Sequence, residues 1–301
     1  MTKVLFRCII GSMNSEKGLQ LASLSEQFVQ HLTNLRRAKA TIIAYSKDIE
    51  QLTKFLKDME KTSAGEVGKL DLEAFLKKLS TDGYTAKSLS RKINSIKTFY
   101  RFLKTQNFIT LNPAAEIVHP KYDIKPPRIL NKMEYRALRD ACRGDTRTYA
   151  VVELFLQTGI RIGELALIKL PDLKEKELVV RAQEGHPQRT VPLNKAAKTA
   201  VDKWLTIRPQ SKDETLFITK TGKPLLVRNI RTTIDRYFKS AGITAAKVND
   251  LRHTFIAHHL AAGTPLTVIS RLVGHKRLST TEKYLDLVKE KMSPSVKLEE
   301  L

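Results

Sequence analysis

Apolar residues at helical spacing run through the first third of the chain and stop at "EIVHPKYDIKPPRILN", residues 116–131. The three prolines of that stretch remove backbone donors and push the residues before them into extended backbone, so no helix crosses it. The chain must therefore fold as two units, joined by an extended linker over 116–130. At 301 residues in total, each unit is long enough to bury a core of its own.

Before the linker, "TIIAYSKDIEQLTKFLKDM" offers Ile42, Tyr45, Ile49, Leu52, Phe55, Leu56 and Met59, and "SLSRKINSIKTFYRFLK" offers Leu89, Ile93, Ile96, Phe99 and Leu103. Both spacings predict amphipathic helices. Shorter helices around 26–35 and 72–79 make a set of about four, with Gly83 and Asn112-Pro113 as stop signals. Residues 21–115 are thus expected to be a small all-helical domain. Residues 1–20 read as a lead-in without fixed structure, with Met13 as an alternative start. "MTKVLFRCII" is short, is broken by Arg7 and lacks a small-residue cleavage site, so it makes a poor signal peptide.

Lys and Arg number 53 against 31 Asp and Glu, a net charge of +22, which implies a polyanionic partner. No apolar run approaches the ~20 residues of a membrane span, so nucleic acid is favoured over lipid. Arg36, Arg37, Lys39 and Lys47 gather at the start of the second helix, and Lys87, Arg91, Lys92, Lys97, Arg101 and Lys104 line the fourth. A solvated face also carries charge. Two basic stripes with few acids among them better suit a helix pair straddling a duplex backbone.

Residues 131–301 read as a second domain. "MEYRALRDACR" and "YAVVELFLQTGIRIGELALI" predict helices, "ELVVRAQEGHPQRTVPL" predicts a hairpin around a Gly-His-Pro turn, and further helices follow from Lys195, Val227, Leu251, Pro265 and Thr280. The expected fold class is mainly α with a small β-hairpin, an α+β second domain. Cys8 and Cys142 match no metal spacing or disulfide framework, which suits a reducing, cytoplasmic setting. There is no HExxH, no acidic cluster for Mg²⁺ and no Gly-rich phosphate loop, so neither metal nor cofactor is expected. Any chemistry on nucleic acid must rest on side chains alone.

"LQTGIRIGEL" sets Arg161 just after a Thr-Gly break, with Glu164 three residues on. Taken alone this is a weak surface ion pair, worth ~0.2–0.5 kcal/mol. "VNDLRHTFIAHHLAAG" adds Arg252 at the head of a helix with a core-like face. Two planar guanidinium groups can clamp one phosphate and stabilise the extra charge of a pentacoordinate phosphorane. "LVGHKRLSTTEKYLDL" supplies His275 as a hydrogen-bond donor and Tyr284 as a nucleophile.

"TGIRIGEL", "DLRHTFIAHHL", "LVGH" and "STTEKY", with Arg161, Arg252, His275 and Tyr284 separated by 91, 23 and 9 residues, resemble the tyrosine recombinase (phage integrase-like) family, and closely its Xer-like and integrase-like members. The match spans the chain from about Ser23. The resemblance implies a two-domain C-shaped clamp on double-stranded DNA, acting as a homo-tetramer on two paired sites through a Holliday junction. It implies that Arg161 and Arg252 bind the scissile phosphate, that His275 assists, and that Tyr284 forms a 3′-phosphotyrosyl link. Dimer resolution and integration or excision of a mobile element are both roles of the family. The C-terminal series Leu285, Leu287, Val288 and Met292 either docks on a neighbouring subunit or packs on its own domain.

Two positions depart from the family pattern. Asn249 stands where the family has a histidine three residues before the second arginine; it can donate a hydrogen bond but cannot shuttle a proton. Glu184 stands where the family's hairpin lysine protonates the leaving 5′-oxygen. His186, Arg189, Lys176 or Lys223 are candidates to replace that lysine, and His186 is favoured because imidazole titrates near neutrality. These departures motivate a second reading, a catalytically weakened DNA-binding accessory or regulatory paralogue. A topoisomerase that captures no partner strand is a third.

Overall fold

The computed structural model describes residues 20–123, 125–183 and 185–289. The expected lead-in over residues 1–20 falls almost wholly outside them, as do Met292 and the end of the tail. Two compact units divide at Met1–Ile124 and Lys125–Leu301, inside the proline-bearing stretch.

The first unit is built from α1 (Leu21–Asn34), α2 (Lys39–Asp58), α3 (Lys69–Thr81) and α4 (Ala86–Thr105). Their apolar stripes meet in one core: Leu24, Phe28, Leu52, Leu56, Leu72, Ile96 and Phe99 are fully or almost fully buried. Thr85 caps α4 by accepting from the Ser88 N–H, which satisfies one of the donors that a helix start leaves over.

Asp48 is also buried there, on the inward side of α2. Its carboxylate accepts from Arg91 at 2.5 and 2.9 Å, from Lys92 Nζ at 2.8 Å and from Ser95 Oγ at 2.9 Å. Lys92 donates to Gln51 Oε1 as well and is only 6% exposed. Lys92 is therefore not the surface cation that the basic stripe of α4 suggests. An unpaired carboxylate between two helices would carry a heavy desolvation cost, and the lysine offsets it. Arg36, Arg37, Lys39, Lys47, Lys87 and Arg91 are exposed.

The second unit comprises α5 (Lys132–Cys142), α6 (Thr146–Thr158), α7 (Ile162–Ala166), β1 (Glu177–Val180), β2 (Arg189–Pro192), α8 (Lys195–Ile207), α9 (Val227–Ser240), α10 (Val248–Ala261), α11 (Leu266–Val273), α12 (Ser279–Glu282) and α13 (Leu285–Lys289). The strands pair antiparallel, with Glu177 opposite Pro192 and Val180 opposite Arg189. The stretch "YAVVELFLQTGIRIGELALI" forms two helices, α6 and α7, parted at the Thr-Gly break. One core gathers α5 to α10 around Leu154, Phe155, Val201, Phe217 and Ile234. A smaller one holds Phe255, Ile256, Ile269, Val273, Tyr284 and Val288. Val288 thus packs within its own unit. No helix among the described residues is long and apolar enough to cross a membrane.

Candidate active site

Gly159 ends α6 in the left-handed region at φ 60°. A Cβ there would fall 2.3 Å from Cδ1 of Phe255, so the close approach of α10 to this turn requires glycine. The chain then reverses, and Arg161 becomes the residue that precedes α7. Its N–H donates to Glu164 Oε2 at 2.7 Å and its Nη1 to Oε1 at 2.8 Å. The expected surface pair is not one, because Glu164 is only 4% exposed. Arg189, at the start of β2, donates to the same carboxylate through Nη1 at 2.8 Å and Nη2 at 2.7 Å.

The end of α11 explains why "LVGH" belongs with these arginines. A helix leaves its last carbonyls without intrahelical partners, and that end favours cations. Three consecutive carbonyls there each take one arginine: Leu272 O accepts from Arg189 Nε at 2.7 Å, Val273 O from Arg252 Nη2 at 2.7 Å, and Gly274 O from Arg161 Nη2 at 2.6 Å. Arg252 also donates through Nη1 to Gly159 O at 2.5 Å. Gly274, at φ 67°, ends the helix so close to Arg189 that an added Cβ would lie 3.0 Å from Nη1. A guanidinium has five N–H donors. The side chains of Arg161 and Arg252 each spend two on the protein, and the others can serve a phosphate.

Burial alone would raise the Glu164 carboxyl, but hydrogen bonds from Arg189 and the Arg161 N–H, with both guanidinium charges, bring it down to about 2. Burial, with Arg161 next, lowers Arg252 to about 9, which leaves it cationic at neutral pH. Burial followed by Arg252 and Arg161 drops His275 to about 4, so its imidazole is neutral. His275 Nδ1 shares a 2.8 Å hydrogen bond with Oγ1 of the fully buried Thr281. Tyr284 lies between α12 and α13, 5% exposed, its ring centroid 6.5 Å from that of His275 and 6.0 Å from that of His253. Burial raises the Tyr284 phenol, and the Arg252 charge opposes that shift.

Arg161, Arg252, His275 and Tyr284 therefore come together, and Arg189 joins them. The sequence offers Arg189 only as a substitute acid; a strand puts Arg189 and the buried Val191 on one face, a period-two signal that its place beside the core is not accidental. His186 pairs with Gln183 in an isolated bridge beyond the strands. Its Nδ1 is buried without a hydrogen-bond partner among the described residues, and burial, then Arg161 and Lys276, lower its pKa. Asn249 is exposed in the first turn of α10, and no hydrogen bond ties it to the other site residues among those described. Glu184 lies outside the described residues. Among the described residues, no group of three His, Cys, Asp or Glu side chains is placed to hold a metal ion.

The sequence matches the phage integrase family over residues 128–291 and the phage integrase N-terminal SAM-like domain over residues 25–107. Tyrosine recombinase XerC of Staphylococcus carnosus (strain TM300) is 31% identical over 256 residues, 82% of this chain and 86% of that protein. The crystal structure of XerA recombinase aligns at a TM-score of 0.55 with 26% identity, covering 93% of this chain and all of that one. A lambda integrase tetramer bound to a Holliday junction shares the fold at a TM-score of 0.73 and 20% identity, over 89% of this chain and 81% of the other.

Proposed function

Because the chain belongs to the phage integrase family of tyrosine recombinases, we propose that it is a site-specific DNA recombinase whose Tyr284 attacks a scissile phosphate. Bonding of the phenolic oxygen to phosphorus gives a 3′-phosphotyrosyl link and frees a 5′-hydroxyl. The observation that carries the reading is the convergence of Arg161 and Arg252 on successive carbonyls, Gly274 and Val273, directly before His275, with the Arg252 charge acting on Tyr284. The remaining guanidinium donors hold the non-bridging oxygens and meet the charge that grows in the phosphorane. Tyrosine is a weak nucleophile at its ordinary pKa of ~10, and the Arg252 charge favours the phenolate. Neutral His275 offers Nε2 to a phosphate oxygen when Nδ1 accepts from Thr281.

The phosphotyrosyl link stores the energy of the broken bond, so a 5′-hydroxyl from another strand reverses the step without a high-energy cofactor. We place this exchange in a homo-tetramer on paired duplex sites, passing through a Holliday junction, in the cytoplasm. Arg36, Arg37, Lys39, Lys47, Lys87 and Arg91 grip the DNA backbone, and exposed Asn249 donates to a phosphate oxygen in the place of the family's histidine. The test uses nicked suicide duplexes whose site is first selected by binding from a random pool. Wild type should accumulate covalent protein–DNA complex, while Tyr284→Phe binds the duplex equally and yields none. Adducts that persist in Tyr284→Phe would move the nucleophile elsewhere.

A further inference from the structure

Breaking the P–O5′ bond leaves an alkoxide, which needs a proton at once. The stretch "QEGHP", residues 183–187, where the family's hairpin lysine would fall, carries no lysine. Yet an ammonium is there. A Cβ built on Gly185 would lie 2.6 Å from Nζ and 3.5 Å from Cε of Lys276. Lys276 comes from the turn after α11, next to His275, and reaches across to the hairpin. Among the charges that bear on His186 are Arg161, Lys276 and Arg189, so Lys276 and the clustered guanidinium groups act on one small region.

Resting on the recombinase reading, we infer that Lys276 is the general acid of this site, delivered from the "GHK" turn instead of from the hairpin. As Tyr284 Oη bonds to phosphorus, its proton passes to solvent. The P–O5′ electron pair goes to O5′, which takes a proton from the Lys276 ammonium. A 5′-hydroxyl and a neutral amine result, and the amine accepts the proton back on rejoining. The other cations that bear on His186, Arg161 and Arg189, are guanidinium groups, which do not release a proton in proteins. His275 and His186 are held in their neutral forms by burial and by the surrounding cations, so neither stands ready with a spare proton. Gly185 has φ 76° and no side chain to block the approach of Nζ.

Lys276 is exposed, so its replacement should spare the fold. Single-turnover cleavage would be measured for wild type, Lys276→Ala, Lys276→Arg, His186→Ala and Tyr284→Phe on two suicide duplexes. One carries the ordinary 5′-oxygen and the other a bridging 5′-sulfur, which leaves without protonation. Lys276→Ala and Lys276→Arg should cleave the oxygen substrate ~10²–10⁴-fold slower than wild type and the sulfur substrate at close to the wild-type rate. Wild-type speed of Lys276→Ala on the oxygen substrate overturns the inference, and so does an equal loss on both substrates, which would mark a DNA contact. Sulfur rescue of His186→Ala without rescue of Lys276→Ala would give the role to the imidazole. Failure of the recombinase reading has a different signature: wild type itself would form no Tyr284-dependent adduct on either duplex.

Discussion

Asp48 and Glu164 are both buried carboxylates ringed by basic side chains, and they do different things. Asp48 takes Arg91, Lys92 and Ser95 from a single helix, α4, and so clamps α2 to α4. Lys92 is used up in the process. Glu164 takes Arg161 from its own turn and Arg189 from β2, and both arginines are tied a second time, to the end of α11. Arg161 stays 29% exposed, with donors to spare. A buried acid can thus spend its cations on the fold, or fix their positions while leaving their chemistry available. What separates the cases is where the second bond goes: Lys92 turns inward to Gln51 and is 6% exposed, whereas Arg161 is held by the Gly274 carbonyl at the end of α11 and keeps part of its guanidinium open.

That contrast can be broken by neutral isosteres. Glu164→Gln and Asp48→Asn each leave buried cations short of an anion, which costs on the order of 3–5 kcal/mol, read as loss of melting temperature. Only Glu164→Gln should also slow cleavage per folded molecule, by about tenfold or more, equivalent to ~1.4 kcal/mol of barrier. A cleavage rate that falls equally in Asp48→Asn would erase the distinction.

Acid should sharpen it. His275 has a folded pKa of about 4 against an ordinary 6.5, so the unfolded chain binds the proton more readily between those values. Stability is therefore full above pH 6.5 and falls as pH drops towards 4. Glu164, at about 2 against 4.5, adds a further loss below pH 4.5. His275→Asn should flatten the upper part of the melting profile and Glu164→Gln the lower. A wild-type profile that stays level from pH 6.5 to 4 would contradict the burial of His275.

The smallest effect expected is on DNA affinity. Arg36→Ala and Arg37→Ala should each reduce the log–log slope of binding against salt by at most ~0.9, the value for one phosphate contact. Lys92→Met, which removes an internal charge, should leave the slope unchanged. Equal slopes for all three variants would mean that the exposed arginines do not touch the backbone.

The helices of the first unit were legible because their apolar stripes repeat at 3.6 residues, and the four site motifs were legible because their residue types and order are informative. Lys92 was misjudged because a helical stripe of cations says nothing of a buried acid on the facing helix, 44 positions away. Glu164 looked like a weak i+3 partner because the second claimant on its carboxylate, Arg189, comes from a strand. Lys276 carries no sequence signal of its own. Its reach to the hairpin depends on a turn after α11 and on the absence of a side chain at Gly185, neither of which has a local sequence period.

The central claim is that Tyr284 is the residue that DNA becomes joined to. It is tested most directly by trapping the covalent complex on a suicide duplex, digesting both components and sequencing the nucleotide-bearing peptide by mass spectrometry. The account predicts one modified peptide, containing "YLDL", with the nucleotide joined through its 3′-phosphate to the Tyr284 oxygen. A link to any other residue, or one through a 5′-phosphate, would contradict it.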